Sequence, residues 1–147
     1  MSLKQRLMED LKTSMKTKDK TKKNAITLIR SAIKQQEVDE RKELKDEDII
    51  DIISKQIKQK KNSIDDFKKG NREDLIELTR DEISILKNYM PEQLSEDELE
   101  DIVRKAVEET KAETRRDIGK VMSQVMPLVK GRADGNQVNK IVMRYLN

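Results

Sequence analysis

The chain has 147 residues, of which 41% are charged and 2% aromatic, with a formal net charge of +3, no cysteine and no histidine. Those two absences remove disulfides, thiolate and imidazole metal sites, and every Ser-His or Cys-His catalytic pair. No apolar run approaches the ~18–20 residues that span a bilayer and the N-terminus lacks the apolar core of a signal peptide, so the expected location is cytoplasmic, with no membrane contact.

Apolar residues recur at helical spacing, and there are only four glycines and two prolines. That pattern belongs to amphipathic helices with solvated faces, not to a disordered polyelectrolyte. The predicted fold class is all-α and multihelical. Ser2 is placed to cap a first helix, with Gln5 returning the bond and Leu3, Leu7, Leu11 and Met15 as its apolar stripe. The Lys-rich run at 16–23 interrupts it. A second helix carries Ile26, Ile29, Ala32 and Ile33 towards Val38. Asp46 starts a long third helix with Ile49, Ile53, Ile57, Ile64 and Phe67 on one side, stopped by Gly70. Asn71 is expected to cap a fourth, with Leu75, Leu78, Ile85, Leu86 and Tyr89 inward.

Pro91 disfavours helix in the residue before it, which sets the predicted boundary between a four-helix N-terminal domain, 1–90, and a three-helix C-terminal domain, 91–147. Ser95 and Glu98 form a capping box, and Leu94 and Leu99 a hydrophobic staple, for a fifth helix with Ile102, Val103, Ala106 and Val107 on its buried face. The sixth is predicted from about Asp117 to Met126, ended or kinked by Pro127, with Val121, Met122 and Val125 inward. Asp134 caps the seventh, with Gln137 completing its box and Val138, Ile141, Val142, Tyr145 and Leu146 inward.

Charge is distributed unevenly. Residues 1–34 hold ten Lys/Arg against Glu9, Asp10 and Asp19; acidic residues dominate 92–113, and basic ones return from Arg115 onward. Such polarity bears on the choice of partner more than the small net charge does. Three of the four glycines, Gly119, Gly131 and Gly135, fall in the last fifth of the chain, interleaved with Lys120, Lys130 and Arg132. The segment Lys130-Gly-Arg-Ala-Asp-Gly135 has two readings. One is a left-handed glycine ending a helix ahead of the Asp134 cap. The other is a phosphate-contacting turn, in which Lys130 and Arg132 act through their side chains because Asp134 occupies the cap and repels an anion there. Gly119 serves either close helix packing or a flat surface that a nucleic-acid backbone can approach. Arg115, Arg116 and Lys120 are the next candidate contacts.

The lysines at 16–23 and at Lys55, Lys58, Lys60, Lys61, Lys68 and Lys69 are solvated helix faces or, alternatively, further nucleic-acid contacts. With only Phe67, Tyr89 and Tyr145 as aromatics, an RNA is expected to be bound through phosphates and shape, not base stacking. The chain has no Walker loop, dinucleotide fingerprint or nucleophile elbow, and the acidic residues of 96–101 complement a helix dipole. No catalytic residue, cofactor or metal is expected.

The segment Asp117 to Leu146 resembles the C-terminal tail of the GatB/YqeY family: a glycine-basic-Val-Met helix, a Gly-basic-Ala turn and a closing helix. Arg30-Ser-Ala-Ile-Lys-Gln-Gln-Glu-Val-Asp-Glu-Arg41, Ile57-Lys-Gln-Lys-Lys and Tyr89-Met-Pro-Glu-Gln-Leu-Ser-Glu-Asp-Glu-Leu99 are similar to the free-standing YqeY branch, so the likeness extends over essentially the whole chain. It implies an all-helical protein of two units. In the family, GatB is a subunit of a tRNA-dependent amidotransferase, and its tail domain helps hold the outer corner of tRNA. This chain has only the tail-like portion, with Gly-Arg-Ala-Asp-Gly where the GatB tail usually has Gly-basic-Ala-Asn-Pro. The resemblance therefore implies a non-catalytic tRNA or structured-RNA binding module that assists an aminoacyl-tRNA synthetase or an amidotransferase. The alternative is a protein-interaction domain that uses the acidic 92–113 helix or an exposed helical groove.

Overall fold

Local caps and apolar stripes produce seven α-helices and no strand in the computed structural model, which describes residues 1–147. The chain divides into two compact units, Met1–Met90 and Pro91–Asn147, each with its own apolar core. No helix is long and apolar enough to cross a membrane.

The first unit contains α1 (Leu3–Thr17), α2 (Lys20–Glu40), α3 (Asp46–Lys69) and α4 (Glu73–Lys87). At the start of α1 the Gln5 amide donates to Ser2 Oγ at 3.2 Å and the Ser2 amide donates to Gln5 Oε1 at 3.1 Å, so two otherwise orphaned donors are satisfied. Only two residues of the Lys-rich run are non-helical. Lys18 takes a left-handed conformation with φ 60°, and Asp19 caps α2 by accepting from the Lys22 amide at 3.1 Å. The turn after α3 also differs from expectation: Gly70 has φ −90°, and the left-handed residue is Asn71 with φ 56°. Asparagine tolerates that region through its short polar side chain. Asn71 consequently does not cap α4, whose N-cap is Arg72 with no capping side-chain bond.

Leu7, Ile26, Ile29, Ile49, Ile53 and Leu86 are fully buried and tie the four helices together, each contributing about 1.5–3 kcal/mol of transfer free energy against the entropy of ordering. Two stripe residues lie elsewhere than expected: Met15 is 56% exposed and Leu78 43% exposed. The buried face of α4 is Ile76, Thr79, Ile83 and Leu86, because α4 packs on both α2 and α3 and this pair of neighbours selects the face. Polar pairs fix the helices in register. Tyr89 donates its hydroxyl to Asp10, and burial together with that carboxylate pushes the phenol well above its ordinary value. The Arg6 guanidinium lies 4.7 Å from the Tyr89 ring centre and donates to the Asn88 carbonyl at 2.9 Å. Between α3 and α4, Lys60 donates to Glu82 at 3.0 Å in a partly buried ion pair.

The second unit contains α5 (Glu96–Thr110), a 3-10 turn (Arg115–Asp117), α6 (Ile118–Val129) and α7 (Gly135–Tyr145). Its core joins Leu99 and Val103 of α5, Val121 and Val125 of α6, and Val138 and Ile141 of α7. Ser95 Oγ caps α5 by accepting from the Glu98 amide at 3.1 Å, while its own hydroxyl donates to Glu98 Oε1 at 3.0 Å. The box is therefore closed between side chains, with no return to the Ser95 amide. Pro127 does not end α6 at Met126; the helix continues to Val129 with the proline inside it. A proline there costs the bond its nitrogen cannot make. Val125 and Val129, one turn apart and both fully buried, hold the last turn in the core.

Candidate nucleic-acid interface

The turn between α6 and α7 is built by three local constraints. Gly131 has φ 75°, which a side chain disfavours, so the left-handed reading of this glycine is the observed one. The amides of Arg132 and Ala133 donate back to the Val129 carbonyl at 2.7 and 3.1 Å, closing the end of α6. Asp134 then caps α7 by accepting from the Asn136 amide at 3.0 Å. The expected Gln137 half of that box is not formed, because the cap bond goes to the second helical residue instead of the third. Gly135, first in α7, would bring a Cβ to 3.7 Å from Met126 Cε, an ordinary contact.

The segment before α5 is stitched to this turn, a long-range contact that local sequence patterns do not encode. Gln93 Nε2 donates to the Gly131 carbonyl at 2.8 Å, the Leu94 amide to the Arg132 carbonyl at 2.9 Å, and Arg132 Nε to the Glu92 carbonyl at 3.0 Å. Arg132 is half-buried and has one guanidinium donor engaged on backbone. Lys130, two residues earlier, is exposed.

The other three candidate cations gather at the opposite end of α6. Asp117 Oδ2 accepts from the Glu113 amide at 3.0 Å and the Thr114 amide at 3.3 Å. Those bonds hold its carboxyl below the usual value, and Lys120 Nζ stands 3.8 Å from its other oxygen. Arg115 and Arg116 are exposed and make no ion pair. Beneath them the chain end pairs with this segment, the Asn147 amide donating to the Glu113 carbonyl at 3.0 Å.

Gly119, second residue of α6, is exposed, and a Cβ built there would meet nothing within 4 Å. Close helix packing is therefore not the reason for this glycine. The structure assembles the candidates as two clusters, Arg115, Arg116 and Lys120 at one end and Lys130 and Arg132 at the other. α6, of 12 residues and about 18 Å long, or about five base-pair steps of a duplex, runs between Arg116 and Lys130, with Lys120 in its first turn. The α5 carboxylates are partly committed within the unit: Glu96 pairs with Arg144 at 3.1 Å, Glu100 accepts from the Tyr145 hydroxyl at 2.9 Å, and Glu109 accepts from Gln124. No group of three Asp or Glu is placed to hold a metal ion.

These features define a small all-helical protein whose second unit carries a basic cluster at each end of one helix. Residues 4–146 match the family model described as Yqey-like protein, and the chain belongs to that family. A relative from Pyrenophora tritici-repentis, named "Altered inheritance of mitochondria protein 41, mitochondrial", is 35% identical over 144 residues, which cover 96% of this chain and 79% of the relative. Proteins of the same name from Lachancea thermotolerans and Saccharomyces cerevisiae (strain YJM789) are 44% identical over 85 residues and 37% identical over 126 residues. The first of these matches covers 57% of this chain and 46% of the relative, the second 81% and 68%. The chain thus spans about half the length of the Lachancea protein. The expectation of a cytoplasmic location is overturned by these relatives, which are named as mitochondrial proteins.

Proposed function

We propose that the protein is a non-catalytic module that binds tRNA or another structured RNA through its second unit and assists a tRNA-dependent enzyme, the two units acting as separate four-helix and three-helix domains. The observation that carries this reading is the pair of basic clusters at the two ends of α6, the first of them exposed and holding the open backbone of Gly119 next to Lys120. Phosphate contacts of this kind position a nucleic acid without reading its bases, which suits a surface with no exposed aromatic platform. Membership of the YqeY-like family and the resemblance to the GatB tail agree with it.

The test is a gel-shift titration with total tRNA over a salt series. Binding is expected at low salt, with the log-log slope falling by about 0.9 for each phosphate-binding cation removed if the bound region is duplex-like. Changing Arg115, Arg116 and Lys120 to Gln should weaken all tRNA species about equally. Lys58 and Lys61 are suitable control positions because both are exposed, whereas Lys60 is unsuitable because it pairs with Glu82. Absence of tRNA binding by the folded wild type at low salt overturns the reading.

A further inference from the structure

In α1, Met8 and Met15 stand seven residues apart and are exposed, at 38% and 56%. Seven residues are close to two helical turns, so the two lie on one face, with Lys4 and Lys12 one turn either side of Met8. Beside this face runs a groove of about 550 Å³ between α1 and α2. Leu7, Met8 and Ile33 supply its apolar lining, and Lys4, Arg30 and Lys34 its cations. Glu37 is the only acidic side chain in the lining, and it is neutralised by Lys4. Arg30 and Lys34 make no ion pair within the first unit. The flexible thioether of Met8, over the buried Leu7 and Ile33 and flanked by Arg30 and Lys34, combines the two properties with which a groove receives an amphipathic helix.

We propose that the α1–α2 groove is a docking site for an acidic amphipathic helix of a partner protein, its apolar ridge seated on Met8 and its carboxylates facing Arg30 and Lys34. Charge complementarity selects this occupant: the groove presents cations with no acidic counterpart beyond the Lys4-bound Glu37. The exposed methionines favour a helix over a nucleic acid, since a phosphate backbone has nothing apolar to place against them. A second copy of this chain does not supply the helix through α5, because the apolar face of α5 is already buried in its own unit. The proposal stands on the first unit and is independent of RNA binding by the second.

The test uses the full chain and three fluorescein-labelled synthetic helical peptides of equal length. One has a leucine ridge flanked by glutamates, one has lysines in place of the glutamates, and one has the acidic composition in scrambled order. Fluorescence anisotropy should show saturable binding of the acidic amphipathic peptide, weaker binding of the scramble by about tenfold, and none of the lysine peptide. Arg30→Glu/Lys34→Glu and Met8→Asp should each weaken it by about tenfold or more while the circular dichroism spectrum is unchanged, all three residues being outside the fully buried core. Equal binding of the acidic peptide and its scramble overturns the proposal by reducing it to net-charge attraction. So does failure of the acidic peptide to bind. Loss of tRNA binding in the folded Arg30→Glu/Lys34→Glu protein, without any peptide binding, assigns the groove to nucleic acid and equally overturns it.

Discussion

Gly119→Ala separates stability from function at one atom. Position 119 is the second residue of α6, its φ is not in the left-handed range, and a Cβ there meets nothing within 4 Å. Alanine should therefore remove the backbone-entropy cost of glycine without steric penalty, stabilising the second unit by about 0.5–1 kcal/mol. That unit spans 57 residues, Pro91–Asn147, so at about 2.1 cal/mol/K per residue its unfolding entropy is about 0.12 kcal/mol/K and the melting temperature should rise by about 4–8 °C. The same methyl group stands on the exposed first turn of α6, next to Lys120, where the RNA reading brings a phosphate backbone close. The variant should consequently melt higher and bind tRNA more weakly, two changes that a general loss of structure cannot produce together. Thermal circular dichroism and a tRNA gel shift on the same preparation measure them. A lower melting temperature refutes the account of the glycine, and an unchanged affinity refutes close approach of RNA at this point.

Arg132→Gln removes the bond from Arg132 Nε to the Glu92 carbonyl and should lower the melting point of the second unit, at a cost of about 1 kcal/mol for one partly exposed bond; an unchanged melting curve shows that the stitch is not stabilising. Leu99→Ala, at a fully buried position, should cost about 2–5 kcal/mol, enough to unfold much of a unit this small, while protease resistance of the first unit persists. Glu37 has its carboxyl held below the ordinary value, first by the Lys4 ammonium and then by the Leu44 amide, which donates to it at 2.9 Å. Its stabilising contribution is therefore present above the ordinary glutamate value of 4.5 and lost as pH falls through the depressed one. Glu37→Gln should flatten the acid limb of the stability profile below about pH 4.5, measured by urea unfolding across pH, and an unaltered limb counts against the pair.

The helical class was legible because spacing and caps are local properties. Ser2 with Gln5, Ser95 with Glu98 and the Asp134 cap each act within three residues, so their roles appear in the sequence itself. Where two local signals competed, tertiary structure decided. Gly70 and Asn71 both tolerate a left-handed turn, and the chain uses the asparagine. Apolar residues fall on both sides of α4, so periodicity did not choose between Leu78 and Ile76; packing against α2 and α3 did. Pro127 carries a local stop signal that burial of Val129 overrides. In the candidate site, the glycines and cations were visible in the sequence, but not the stitching of the Gly131–Arg132 turn to the segment before α5. The bond from Arg132 to Glu92 joins residues 40 positions apart and leaves no periodic trace.

The scarcity of aromatics gives the molecule a built-in optical label for each half. There is no tryptophan, and the two tyrosines are divided between the units, Tyr89 in the first and Tyr145 in the second. Each donates its hydroxyl to a carboxylate, Asp10 for one and Glu100 for the other, an arrangement that unfolding breaks. Intrinsic tyrosine emission is therefore the sum of two signals of separate origin, and replacing either ring by phenylalanine leaves a single-site spectroscopic channel. With Tyr89→Phe the emission follows the RNA-candidate half alone, and with Tyr145→Phe it follows the groove-bearing half. The order in which the halves lose structure is thus readable without attaching a dye.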